Sequence, residues 1–229
     1  MLAVGLVLAA CGNEADNDRA TEVPTSDEST SDAPTEPDDG SQTAVGECSY
    51  TADGTTPAIA VDLPPETPPT TKTVSAVLAT SAGDLNLVLQ AATTPCTVNS
   101  FLSLAEQGYF DQTQCHRLTT DGIWVLQCGD PTATGTGGPG YAFADELSGS
   151  EVYSAGTLAM ANAGPGTNGS QFFLVYKDSL GLPPDYTVFG KFDAASIRVL
   201  QQVASKGTSS GGPDGSPAEP VEIQSVTVR

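Results

Sequence analysis

Hydrophobic and polar positions divide the chain into three textures. Residues 2–10 (LAVGLVLAA) form an unbroken apolar run, and residues 12–47 contain no aromatic residue, no Leu and no Ile. From Thr73 onward the apolar positions become periodic. Thr73–Thr80 and Leu85–Gln90 alternate with the period of two that marks half-buried strands, and Ser81–Asp84 between them reads as a turn. Val98, Phe101, Leu102 and Ala105 then fall at helical spacing, with Pro95 suited to a first turn and Gly108 to a stop. Short strands are predicted at Gln114–Thr119, Ile123–Gln127, Gly156–Asn162, Gln171–Val175, Thr187–Lys191 and Glu222–Val228. A second helix is predicted over Ala194–Ser205, with Ile197, Leu200 and Val203 on its inner face. This pattern predicts an all-β-dominated fold over residues 73–229: a closed eight-stranded antiparallel β-barrel with two capping helices.

The first 72 residues read differently. The run ending Leu8-Ala9-Ala10-Cys11 is too short to span a bilayer and fits the apolar region of a secretory signal. It resembles the lipobox of bacterial lipoproteins, which makes Cys11 a candidate lipidation site and residues 1–11 a signal peptide with lipobox. No Lys or Arg precedes the run, which leaves either an upstream start or an incomplete signal. Residues 12–47 carry eleven acids against the single Arg19, too little apolar surface to offset ordering entropy. Cys48 and Tyr50 follow, then the proline-rich LPPETPPTT, so the whole of 12–72 is expected to be an acidic, Pro/Ser/Thr-rich disordered tether.

Charge narrows the function. A formal net charge of −20 argues against nucleic acid, whose phosphates need a basic face, and against electrostatic attachment to anionic lipid. His116 is the single histidine, so a metal centre built on several imidazoles is excluded and no metal or cofactor is expected. With Cys11 set aside, Cys48, Cys96, Cys115 and Cys128 form an even set without CxxC spacing, pointing to two disulfides with three possible connectivities. A hairpin of Gln114–Thr119 with Ile123–Gln127 would bring Cys115 opposite Cys128. Cys48 would then tie the extension to Cys96. Cys115–His116 is not a plausible nucleophile pair, since strand neighbours point to opposite faces. Gly135, Gly137 and Gly140 match a dinucleotide fingerprint in spacing only, with no strand before them or helix after.

Two stretches exceed what a scaffold needs: Cys115-His-Arg-Leu with Gln127-Cys-Gly-Asp-Pro, and Met160–Phe173 (MANAGPGTNGSQFF). Over about 73–229, and most specifically in that second stretch and Tyr186-Thr-Val-Phe-Gly190, the chain resembles the cyclophilin-type peptidyl-prolyl cis–trans isomerases. The resemblance implies an enzyme that rotates X–Pro bonds without cofactor. Arg117 takes the place of the family's catalytic arginine, and Gln127 that of the glutamine supporting it. It further implies a proline pocket of Trp124, Val125, Phe173 and Leu182. Gly135, Ala161, Asn162, Ala163, Gln171 and Tyr186 are implied as further substrate contacts.

The chain departs from the family pattern in several places. Arg117 and Gln127 are separated by two residues more than in the animal proteins, Trp124 replaces phenylalanine, and Cys128 replaces a glycine. Gly181 and Tyr186 stand where tryptophan and histidine favour cyclosporin, so weak cyclosporin binding is expected. The resulting expectation is a monomeric, exported isomerase, membrane-attached only through lipid on the extracytoplasmic face, with proline-containing polypeptides as clients. The alternative is a binding module of the same fold with little turnover.

Overall fold

A computed structural model describes residues 46–229. Cys11, the signal peptide and the tether up to residue 45 lie outside the described residues. The elements run β1 (Thr51–Ala52), β2 (Thr73–Thr80), β3 (Gly83–Gln90), α1 (Pro95–Glu106), β4 (Thr113–Gln114), β5 (Arg117–Thr119) and β6 (Val125–Cys128). They continue with β7 (Tyr141–Ala142), β8 (Thr157–Met160), β9 (Phe172–Val175), β10 (Val188–Phe192), α2 (Ala194–Ser205), β11 (Asp214–Gly215) and β12 (Glu222–Val228). Each of the eight expected strands has a counterpart. The first of the short ones splits into β4 and β5, because the chain leaves the ladder at Cys115–His116.

Ten strands form one antiparallel order, β11-β5-β6-β9-β8-β10-β3-β2-β12-β4, while β1 pairs with β7 alone. The sheet is curled, and among the described residues no ladder joins β11 to β4, as a closed barrel would require. Alternation sorts its residues by face. Leu85, Leu87 and Leu89 of β3, Leu126 of β6, and Phe172 and Leu174 of β9 enter the main core with Phe101, Phe110 and Phe189. Val125, Phe173 and Val175 face the other way and form a second, smaller cluster over Tyr153 and Ala159.

Both helices pack on the main core, α1 against β3 and β12, and α2 against β3. Glu146 takes the place of an N-cap for α1. Its carboxylate accepts from Cys96 N at 3.0 Å, Thr97 N at 2.8 Å and Thr97 Oγ1 at 2.7 Å, which meets the helix's unpaired N–H groups. Asp193 caps α2 by accepting from Ser196 N at 2.7 Å.

Residues 46–72 correct the expected tether. Cys48 is bonded to Cys96, and Tyr50 packs edge-on against Tyr141 and Phe143 with ring centroids 5.6 Å apart. The Tyr50 hydroxyl donates to Cys96 O at 2.8 Å and accepts from Asn99 Nδ2 at 2.9 Å, while Asn99 Nδ2 also reaches Pro65 O. Cys48 N donates to Glu66 O at 2.7 Å. A covalent bond, one buried ring and a few backbone contacts hold this segment as a strap, where a periodic apolar face is lacking. Cys115 is likewise bonded to Cys128, as the hairpin predicts.

Candidate active site

Strand register builds the site. Arg117 on β5 stands opposite Gln127 on β6, and Gln127 opposite Phe173 on β9. Directly opposed residues share a face, so a cation, an amide and an aromatic ring line up across three strands. Around them is a cavity of about 250 Å³ lined by Arg117, Ile123, Val125, Gln127, Ala161, Asn162, Phe173, Leu182 and Tyr186. Its floor is rigid. Tyr186 meets Phe173 edge-on at 5.5 Å, and buried Tyr153 underlies both rings at 6.0 Å. Burial pushes the Tyr153 phenol up to about 12, so it keeps its proton and donates to Tyr186 O at 3.0 Å.

The polar wall is equally fixed. Arg117 Nε and Nη2 donate to the two carboxylate oxygens of Asp214 at 2.8 and 2.6 Å, leaving Nη1 toward Gln127 Oε1 at 3.4 Å. These hydrogen bonds raise the Arg117 pKa above its ordinary value, and the same bonds hold the Asp214 carboxyl below its own. Gln127 Nε2 donates to Gln171 Oε1 at 2.9 Å, and Gln171 Nε2 in turn donates to Gly135 O and Gly137 O. Asn162 Nδ2 donates to Asp185 O at 2.9 Å.

A second cavity of about 450 Å³ adjoins the first and shares Gln127, Ala161 and Asn162 with it. Gly135, Ala163 and Gln171 line this second space rather than the first. Its glycine-rich wall is organised by Asp130, which accepts from the backbone N–H groups of Thr132, Thr134, Gly135 and Gly137. Burial opposes charge on Asp130, but the Thr132 hydroxyl and these N–H groups outweigh it and keep the carboxyl below its usual range.

Of the expected site residues, Trp124 alone lines neither cavity. It precedes β6, gives its N–H to Ser179 Oγ at 2.8 Å, and packs against the main core with Lys177 Nζ 3.9 Å over its ring. Ile123 occupies the pocket face instead, in phase with Val125. Sequence reasoning also missed Asp214, which only the pairing of β11 with β5 brings to Arg117.

His116 has no role in either cavity. Both ring nitrogens are buried without a partner among the described residues, and burial lowers its pKa despite nearby Asp130. The folded protein therefore keeps His116 neutral where the unfolded chain, with a value of about 6.5, takes up a proton. As pH falls below that value, stability should decline and then level off once the folded state also protonates. Denaturation midpoints between pH 8 and 5 should show this slope in the parent protein and lose it in His116→Gln.

Comparison with known proteins agrees with the geometry. The family model "Cyclophilin type peptidyl-prolyl cis-trans isomerase/CLD" matches residues 75–228. The probable peptidyl-prolyl cis-trans isomerase B of Mycobacterium leprae is 54% identical over 167 residues, which is 67% of this chain and 56% of that protein. The peptidyl-prolyl cis-trans isomerase A of Mycobacterium tuberculosis is 39% identical over 176 residues, covering 68% and 92%. Thus the chain spans a little over half the length of its B-type relatives. Among solved structures, a cyclophilin-type isomerase of Cryptosporidium parvum superposes with a TM-score of 0.62 at 30% identity, over 69% of this chain and 98% of that one. The same protein has been crystallised in the presence of the dipeptide Ala-Pro.

Proposed function

Because the chain belongs to the cyclophilin-type peptidyl-prolyl cis–trans isomerases, we propose that it accelerates rotation about X–Pro bonds in extracytoplasmic polypeptides. The observation that carries this reading is the row Arg117–Gln127–Phe173 at the mouth of the apolar cavity. Rotation is opposed by amide resonance, a barrier of roughly 18–20 kcal/mol. As the bond twists, the prolyl nitrogen regains its lone pair and becomes an acceptor. A catalyst needs a place for the ring, a dry wall and a fixed donor for that nitrogen. Val125, Phe173 and Leu182 supply the apolar seat, and Arg117 Nη1 is the donor left free of Asp214. No proton changes hands, so a permanently charged guanidinium suits the task. Line-shape or exchange NMR on an Ala-Pro peptide tests the reading, because cis and trans signals must exchange faster with protein present.

The Asp214 ion pair favours a second reading. It commits two of the guanidinium nitrogens to protein, as would suit a module that holds proline segments without turnover. Binding of the peptide without any acceleration would select that module.

Exported, lipid-anchored placement is part of the proposal and is supported by the lipobox-like Leu8–Cys11 and the acidic stretch behind it. Cys11→Ala should move the protein from the membrane fraction to the aqueous fraction, and continued attachment would remove the anchor from the proposal.

Weak cyclosporin binding is proposed from the rim. A side chain at Gly181 would meet nothing within 4 Å, and neighbouring Leu182 lines the pocket, so the position is open and indole-free. An aromatic anchor of this kind carries about 2 kcal/mol, roughly thirtyfold in affinity. Titration calorimetry should show Gly181→Trp binding cyclosporin more tightly than the parent protein by a factor of that order.

A further inference from the structure

The strap forms one wall of the larger cavity. Asp53 N donates to Gly140 O at 3.3 Å and Ala58 N to Gly138 O at 2.9 Å, which fastens the strap along the glycine-rich loop. Pro57 packs so closely on Gly140 that a Cβ there would lie 3.1 Å from its ring. Asp53 and Thr55 thereby join Gly135–Pro139, Ala163 and Gln171 around the second space. The Asp53 carboxylate is held in place: Oδ1 accepts from Thr55 N at 2.8 Å and Thr55 Oγ1 at 2.7 Å, and Oδ2 has no partner among the described residues.

We propose that Asp53, brought by the strap to the wall of this second space, favours a basic side chain of the client close to the proline. The inference rests on the isomerase reading, since it extends the same groove. The cavity is continuous with the proline pocket through Gln127, Ala161 and Asn162. A client whose proline sits against Phe173 therefore places a nearby residue in it. No Lys or Arg lines this space, and Asp130, the other carboxylate behind its wall, already has its oxygens engaged by backbone N–H groups. Asp53 is the acid left to meet a cation there.

The test uses the full chain and proline peptides carrying Lys, Ala or Glu at each position from three before the proline to two after it. Exchange NMR reads isomerisation and chemical-shift titration reads Kd. At one position or more Lys should exceed Glu by about two- to fivefold, the range of an exposed ion pair, and the ratio should shrink in high salt. Asp53→Asn, which keeps an acceptor for Thr55, should abolish the preference, and Asp53→Lys should invert it. A ratio near one at every position overturns the inference. So does a ratio that survives Asp53→Asn, because it then belongs to the overall charge of −20. Absence of turnover on every peptide would count against the isomerase reading alone, since the Kd series still reports the preference.

Discussion

Arg117→Ala should lower kcat/KM for X–Pro rotation by roughly 10²–10³, the range for losing one preorganised donor to developing charge. Phe173 and Leu182 would still seat the proline ring, so peptide binding should weaken far less than turnover. Lys in the same position should restore only part of the rate, because an ammonium lacks the planar fork that grips Asp214 while presenting Nη1. Thermal stability should change little, as the pair is half-exposed and such pairs contribute about 0–1 kcal/mol. The measurement is exchange NMR with calorimetric melting alongside. Near-parent turnover in Arg117→Ala would favour the binding module.

Replacing Cys48 and Cys96 by Ala should cost about 4 kcal/mol of stability. The bond spans 48 residues of sequence, and closing a loop of that length removes chain entropy worth roughly that much from the unfolded state. For a domain of this size each kcal/mol lowers Tm by about 2–4 °C, so the melting transition should fall by roughly 10 °C or more. The loss should be greater at the strap than elsewhere. The Tyr50 hydroxyl keeps the carbonyl of residue 96 as acceptor but no covalent tie holds the strap to it, so the amides at positions 48 and 53 should exchange faster than those of β3. Unchanged Tm and unchanged exchange would mean that the polar anchors alone hold the strap.

Much of this was legible in the sequence, and the exceptions share a cause. β2, β3, β12 and α2 were found because alternation and helical spacing persist across their length. That Gln127 stands by Arg117 was legible through the resemblance, which the fourteen-residue signature carries most specifically. The strap was not legible, because its anchors are single residues (Cys48, Tyr50) separated by proline-rich chain with no period to detect. Asp214 was not legible because it lies 97 residues from Arg117 in a Gly- and Ser-rich loop and reaches it only through β11. Trp124, which the resemblance put in the pocket beside Val125, lies outside the cavity's lining. Its N–H leaves the ladder for Ser179, so the pocket-facing series starts from Ile123. Local pattern is readable; contacts made by topology are not.

The grip of Asp214 on Arg117 has a consequence for biogenesis. A chain synthesised from its N-terminus contains β5 and β6 well before residue 214 is made, and β12 must then pair with both β2 and β4. Until residues 214–229 are made, the guanidinium has no orienting carboxylate and the sheet lacks its final strand. On the isomerase reading, a molecule stalled or clipped before residue 214 should turn over more slowly than one that carries Asp214 and β12.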